Sequence, residues 1–201
     1  MAISLEKGKK VNLKKGGATG LGEILVNLNW NARPAKKGLF GVFSGGQGGI
    51  DLDLGCLFEL KDGRKGAVQA LGNAFGSLTQ PPFIALDGDD RTGAVTTGEN
   101  LRIDGNKIAL FKRILVYTFI YEGVANWKQA DATVTIKYPG AEDLVIKMDS
   151  YNSSHAMCGL ALLENINDET FSVEKIVQFY PGHQALDAAF GWGMSWQAGR
   201  K

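Results

Sequence analysis

The chain alternates short apolar segments with glycine-rich breaks, and this pattern constrains the fold more than any other feature of the sequence. Its 201 residues include 27 glycines and only 5 prolines. Glycine permits the tight turns that join neighbouring strands. Residues 23–30 place Ile24, Val26 and Leu28 at every second position, which is the period of a strand with one buried face. The sequence therefore predicts many short strands and very little helix.

The predicted strands are spread over the whole chain. Residues 113–122 show almost no polar alternation, which predicts a central strand buried on both faces. A turn is expected at 104–106 and a helix at 184–190, and further strands at 50–60, 67–71, 83–86, 101–103, 133–138, 144–148, 157–164 and 171–179, with two short ones within 1–15. No repeat or linker divides the chain. We therefore expect a single domain over residues 1–201, an all-β sandwich of two mainly antiparallel sheets with one or two short helices.

Composition excludes several classes of function. A formal net charge of +1 gives the protein no overall field that would attract nucleic acid or an anionic membrane. The two cysteines, Cys56 and Cys158, sit in apolar segments and are expected to be buried free thiols rather than a disulfide framework. No apolar segment has the length of a membrane span or the form of a signal peptide. We expect a cytoplasmic protein without direct membrane insertion.

The most distinctive polar stretch is Leu-Asp-Gly-Asp-Asp-Arg-Thr-Gly at residues 86–93. It places the carboxylates of Asp87, Asp89 and Asp90 close together, and like charges repel at short range. A calcium ion would remove that repulsion, because calcium takes six to eight oxygen ligands. An ordinary solvated turn fits the same residues, since Asp and Gly are common in turns. The stretch alone leaves both interpretations open.

Two other acidic segments could close the same site. Asp51 and Asp53 are two residues apart in a predicted strand and should share a face. Glu99 and Asn100 follow the acidic stretch directly. The spacing is not that of an EF-hand, because counting from Asp87 puts arginine at position 5 and glycine at position 12, where oxygen ligands are required. Any calcium site would therefore lie in loops beside strands.

Recognisable catalytic arrangements are missing from the sequence. The segment Gly-Met-Ser-Trp-Gln at 193–197 lacks the second glycine of a nucleophile elbow. The two histidines, His155 and His183, have no partners at the spacing of a zinc site. His183 precedes the predicted helix and is interpreted as a surface or capping residue. Trp192 and Trp196 are assigned to the core, or alternatively to a surface for a partner.

Several motifs in this order resemble the TerD family of tellurite-resistance and stress proteins. The resemblance spans nearly the whole chain, and residues 117–123 and 190–193 look most like the TerA-like branch. It is carried by Ile-Ser-Leu-Glu-Lys-Gly at 3–8, Asn-Trp-Asn-Ala-Arg at 29–33, Asp-Leu-Asp at 51–53, the acidic stretch at 86–93 and Gly-Glu-Asn-Leu at 98–101.

The resemblance implies a β-sandwich with calcium-binding loops at one end and no established enzymatic activity. It also implies a bacterial stress-response protein acting as an adaptor with other Ter-family proteins in a membrane-associated complex. Asp51, Asp53 and Asp89 match the family's ligand motifs, and Asp90 replaces an asparagine. Asn31 and the pair Glu99 and Asn100 stand where TerD proper carries more acidic residues. Together with Asp87 from the sequence argument, the expected calcium ligands are Asp51, Asp53, Asp87, Asp89, Asp90 and Glu99, with Asn31 and Asn100 as additional candidates.

Two rival functions remain at this point. One is a sandwich that binds a carbohydrate or another small ligand through calcium, which requires an exposed aromatic ring near residues 87–90. The nearest ring, Phe83, is expected to be buried. The other is a metal-dependent hydrolase, which requires an open coordination position and a general base. No histidine lies near the acidic stretch in the sequence.

Overall fold

The computed structural model describes residues 2–14, 20–31, 50–88, 98–122, 127–148, 154–197 and 199. Within these residues the chain forms thirteen strands and a few short helices. The strands are Ala2–Ser4 (β1), Lys10–Asn12 (β2), Glu23–Asn29 (β3), Asp51–Leu60 (β4), Lys65–Val68 (β5), Gly76–Ser77 (β6), Ile84–Leu86 (β7), Glu99–Asp104 (β8), Phe111–Glu122 (β9), Thr133–Lys137 (β10), Asp143–Lys147 (β11), Met157–Ile166 (β12) and Thr170–Tyr180 (β13). The α-helices are Trp127–Ala130 (α1) and His183–Ala189 (α2), and 3-10 helices occupy Leu71–Asn73 and Gly105–Leu110.

The strands build two sheets, and the expected β-sandwich is confirmed. The seven-stranded sheet has the order β1-β11-β10-β3-β8-β7-β6, and the six-stranded sheet has the order β2-β13-β12-β9-β4-β5. Nearly all neighbours are antiparallel, with a parallel pair between β1 and β11. The main core lies between the sheets and includes Leu52, Leu54 and Cys56 from β4. This arrangement follows from period-two apolar strands that bury one face against another sheet.

The long apolar segment is a central strand, as predicted. β9 lies between β12 and β4, and its residues 114–120 are all buried. Its alternate side chains enter two different clusters, since Ile114 and Val116 join the core between the sheets while Leu115 and Tyr117 join a second cluster. The second cluster covers the outer face of the six-stranded sheet and includes Trp192, which is fully buried. α2 and residues 190–196 pack on this outer face.

The structure differs from the sequence prediction in several local elements. The expected turn at 104–106 instead opens the 3-10 helix Gly105–Leu110, so β9 begins at Phe111. The segment predicted as a strand at 67–71 ends as β5 at Val68, and a 3-10 helix follows. α1 and β6 were not predicted. Phe83 is only partly buried, and Lys107 places its ammonium 5.7 Å from the ring centroid.

Two expectations about the chemistry of the fold can be checked directly. Cys56 and Cys158 are buried free thiols, as predicted, and burial raises the pKa of Cys56 to about 12. Such thiols stay protonated and unreactive. Over the described part of the chain, no helix is long and apolar enough to cross a bilayer.

Candidate functional site

Two of the predicted ligands are buried at the start of β4. Asp51 is 5% exposed and Asp53 is fully buried. Leu52 and Leu54 point into the core between the sheets, so alternation directs Asp53 to the outer face of the six-stranded sheet. A register shift against β9 separates Asp51 from Leu52, and simple alternation therefore does not fix whether Asp51 shares that face. Carboxylates are seldom buried, so this strand end is chemically distinctive.

Glu99, in the opposite sheet, brings a third buried carboxylate to the backbone of β4. It is the first residue of β8 and is 3% exposed. Its Oε2 accepts a hydrogen bond of 2.6 Å from the backbone N–H of Leu54. β5 pairs with β4 only from Cys56 onward, so Leu54 lies beyond that pairing. The Glu99 carboxylate thus lies directly beside the peptide that joins Asp53 to Leu54 and connects the two sheets.

Asp87 and Asn100 lie on the other side of β8 from Glu99. Arg102 donates from Nε to both carboxylate oxygens of Asp87, at 2.6 and 2.8 Å, and its guanidinium also pairs with Glu23. These hydrogen bonds raise the pKa of Arg102. Asn100 accepts a hydrogen bond of 2.8 Å from Asn27. Because side chains alternate along a strand, Asn100 and Glu99 point to opposite faces and cannot hold one ion between them in this conformation.

Of the remaining predicted ligands, the structure describes only Asn31. Asn31 is exposed just after β3, and its backbone N–H donates to the carbonyl of Ala130. Asp89 and Asp90 lie outside the described residues. Among the described side chains, no group of three or more His, Cys, Asp or Glu is arranged to hold a metal ion. Asp51, Asp53 and Glu99 offer the hard oxygen donors that calcium takes, but an ion there would need further ligands.

A second polar cluster lies on the outer face of the same sheet and was missed at the sequence level. Tyr117 donates a hydrogen bond of 2.6 Å to Oε1 of Gln69, and the same oxygen lies 2.9 Å from Nε2 of His183. Since that amide oxygen only accepts, His183 carries its proton on Nε2. Burial lowers the pKa of His183 to about 4, so the imidazole is neutral at pH 7. His183 is therefore a half-buried first residue of α2 rather than the predicted surface or capping residue.

This cluster was hard to predict from the sequence because its members are far apart in the chain. Gln69 and His183 are separated by 114 residues. One local signal is Gly55: a Cβ there would lie 2.7 Å from the ring of Tyr117, so glycine makes room for that ring. Asp53 lies two residues earlier on the same strand face, and its charge contributes, after burial and Cys56, to a raised pKa of Tyr117.

The C-terminal segment is fastened over this face by two charged residues. Asp187 accepts hydrogen bonds from the backbone of Gly193 and Met194 and from the indole of Trp196, at 2.7, 3.0 and 3.0 Å. The guanidinium of Arg113 lies 3.8 Å from the ring centroid of Trp192. Trp192 is fully buried, so the alternative that it forms a partner surface is wrong, whereas Trp196 is partly exposed.

Arg113 also binds the carboxylate of Glu59 and the carbonyls of Phe190 and Gly191. Burial alone would raise the pKa of Glu59, but hydrogen bonds from Lys112 and Arg113 outweigh burial and lower it. Glu59 therefore stays ionised and keeps Arg113 in position beneath the C-terminal segment.

Comparison with known sequences identifies related proteins. A family model described as the TerD domain matches residues 1–137. The chain is 40% identical over 200 residues to a tellurium resistance protein TerA from an Alcaligenes species, covering 99% of this chain and 58% of that protein. It is 38% identical over 107 residues to the stress response protein SCP2 of Bacillus subtilis (strain 168), covering 52% of this chain and 47% of that protein. The chain thus spans about half the length of these curated relatives.

Two solved structures share the fold. One is a protein of unknown function, with a TM-score of 0.61 and 12% identity over 84% of this chain and 95% of its own. The other is a homologue of the telluride resistance protein TerD from Streptomyces coelicolor A3(2), with a TM-score of 0.58 and 16% identity over 84% of this chain and 96% of its own. Because the TerD-domain match covers more than half of the sequence, the chain belongs to the TerD family.

Proposed function

We propose that this chain is a calcium-binding, non-enzymatic stress-response protein of the tellurium-resistance type. The observation that carries the proposal is that the buried carboxylate of Glu99 in β8 accepts a hydrogen bond from the backbone N–H of Leu54, the residue after the buried Asp53 in β4. Concentrating negative charge in a poorly solvated place is costly, and a divalent cation offsets that cost. The names of the relatives, tellurium resistance protein and stress response protein, favour a role in stress.

Calcium suits the available donors better than zinc. The donors are carboxylate oxygens, which calcium prefers, whereas zinc sites usually include sulfur or nitrogen donors. The proposed ligands are Asp51, Asp53 and Glu99, completed by Asp89 and Asp90, which remain predictions. Asp87 would have to leave Arg102 to join them, and Asn100 points to the opposite face. The ion would hold the ends of β4 and β8 together, which is a structural role.

The proposed role in the cell is that of a cytoplasmic adaptor for other Ter-family proteins in a membrane-associated complex. The described residues offer no nucleophile with a base and an orienting group. His183 lies in a polar network, but its Nε2 donates a hydrogen bond to Gln69, and its low pKa leaves it a weak base.

The proposal is tested by calorimetric titration of the purified protein with calcium, and with magnesium for comparison. Glu99→Gln keeps an oxygen for the N–H of Leu54 but removes a charge, so we expect calcium affinity to fall at least roughly tenfold, or about 1.4 kcal/mol. Asp62→Asn is the matched control, since Asp62 is exposed and pairs with Arg64. The proposal would be contradicted if the wild type released or absorbed no heat on addition of calcium. It would also be contradicted if the Glu99→Gln and Asp62→Asn variants bound calcium with equal affinity.

The adaptor role and the rivals need separate assays. Co-elution of the purified chain with other purified Ter-family proteins, in calcium and in EDTA, tests the adaptor role. Calcium-dependent binding on a sugar array would favour the carbohydrate alternative. Phosphodiesterase activity with magnesium or manganese would favour the hydrolase.

A further inference from the structure

A cleft of the described structure lies between α2 and the C-terminal segment. It has a volume of about 820 Å³. Gln69 and Leu71 form one wall, His183 and Gln184 form another, and Trp196 and Gln197 close it on the C-terminal side. Binding sites for small molecules typically have volumes of about 300–1,000 Å³. The cleft is therefore large enough for a compact organic ligand.

The described side chains that line the cleft carry no charge at pH 7. Among the described residues that line the cleft there is no Asp, Glu, Lys or Arg, and three of them are glutamines. His183 is neutral at pH 7 because burial lowers its pKa to about 4. Each glutamine amide offers both a donor and an acceptor, which matches a hydroxyl group that also does both. Trp196 adds a flat apolar surface that is partly exposed.

We propose that this cleft binds an uncharged sugar, with an apolar C–H face against Trp196 and hydroxyl groups on Gln184 and Gln197. A sugar has a flat apolar side and a dense set of hydroxyl groups. Trp196 matches the apolar side, and the glutamine amides match the hydroxyl groups. Phosphorylated or acidic ligands fit poorly, because the described residues of the lining include no cation to receive them. A purely apolar ligand would leave the amides without partners.

Two features keep the cleft in one shape before any ligand binds. Oε1 of Gln69 receives hydrogen bonds from both Tyr117 and His183, which fixes the orientation of that amide. Trp196 is fixed by the hydrogen bond of its indole N–H to Asp187 and by the imidazole of His183, whose ring centroid lies 4.9 Å away. A binding wall that is already ordered loses less entropy when a ligand binds.

The tryptophans supply the readout of the test. The chain has four tryptophans, and the indole N–H groups of Trp30, Trp127 and Trp192 donate to backbone carbonyls rather than lining the cleft. In a ¹⁵N-labelled sample, the indole signals are followed while methyl α-D-glucopyranoside, methyl α-D-mannopyranoside, methyl β-D-galactopyranoside and N-acetylglucosamine are each added to about 50 mM, a range that detects weak binding. We expect at least one sugar to shift the Trp196 signal saturably and leave the other three in place. Trp196→Phe assigns the signal.

Variants locate the site. Gln184 is exposed, so the Gln184→Ala variant should fold normally. Loss of one hydrogen bond to the sugar should weaken sugar binding by about fivefold. Gln80→Ala, at an exposed glutamine outside the cleft, should leave binding unchanged. Failure of every sugar to shift the Trp196 signal, or equal binding by both variants, would overturn the proposal. Saturable binding of benzamide in place of all four sugars would also overturn it, because the ligand would then be a planar ring.

Sugar binding in this cleft is expected to be independent of calcium. The titrations are repeated in EDTA, and the Trp196 shift is expected to persist. A shift that requires calcium would overturn the assignment to this cleft and favour sugar binding at the carboxylate cluster.

Discussion

Replacing Asp187 with asparagine should release the end of the chain from the six-stranded sheet. The Asp187 carboxylate is 5% exposed and accepts three hydrogen bonds, one at Oδ1 from Gly193 and two at Oδ2 from Met194 and Trp196. Asparagine has the same shape but only one acceptor oxygen. Its NH₂ group must therefore face at least one of the N–H donors.

The size of the effect follows from these three bonds. In the better orientation the variant keeps two of them, now to a neutral acceptor, and loses the third. A hydrogen bond to a charged group is worth about 1.5–3 kcal/mol and a neutral one about 0.5–1.5 kcal/mol. Part of the loss is offset because a buried charge no longer has to be desolvated. We expect the free energy of unfolding to fall by about 3 kcal/mol, or roughly 6–12 °C in Tm for a chain of this size.

Urea unfolding followed by circular dichroism measures the loss, and tryptophan fluorescence reports the local change. Trp196 should become more exposed and its emission should shift to the red, while Trp192 stays buried under Arg113. Asp62→Asn, at an exposed aspartate that pairs with Arg64, is the control and should change stability by less than about 0.5 kcal/mol. An Asp187→Asn protein within that margin of the wild type would refute the reasoning.

Three further predictions concern the sheet beneath α2 and the core. Thr118→Val should raise the free energy of unfolding by about 1 kcal/mol in urea melts, because the buried Thr118 hydroxyl has no hydrogen-bond partner among the described residues; a loss would contradict this. Gly55→Ala should lower it by about 2 kcal/mol, because the added Cβ would lie 2.7 Å from the Tyr117 ring; an unchanged melting curve would show that the ring can move aside. Burial lowers the pKa of His183 from 6.5 to about 4, so its contribution to stability is complete above about pH 6.5 and is lost as the pH falls toward 4. His183→Gln should flatten the pH dependence in that interval, and an unchanged slope would assign it to other groups.

The sequence was sufficient where the information is local. The unbroken apolar segment of β9 identifies a central strand, because only a strand covered on both faces needs no polar side. The alternation in β3 and β10 identifies half-buried strands in the same way. Helical turns of three to seven residues, such as α1, carry too few residues for a periodic pattern and were missed or shifted.

The candidate site could be predicted only in part. Asp51, Asp53 and Glu99 were identified from motifs, and the structure buries all three at one end of the sandwich. The predicted strand began at residue 101, whereas β8 begins at Glu99, so the alternation that sends Glu99 and Asn100 to opposite faces was not predicted. The pairing of Asp87 with Arg102 depends on the register between β7 and β8, which no local pattern reveals.

The cleft could not be predicted from the sequence for the same reason. Its polar centre joins Gln69, Tyr117 and His183 from three distant parts of the chain. No spacing rule connects such residues, and only the packing of α2 on the outer face of the six-stranded sheet brings them together.

The most direct measurement is the thermal stability of the wild type and Glu99→Gln in EDTA and in rising calcium, with magnesium as a control. In EDTA the variant should be the more stable protein, by about 1 kcal/mol, because one of several buried like charges is gone. In calcium at a hundredfold excess over its Kd the wild type should gain about 2.7 kcal/mol and become the more stable of the two. A crossing of the two stabilities that is specific to calcium is what the calcium proposal predicts. A wild type that melts at the same temperature in EDTA and in calcium would contradict it.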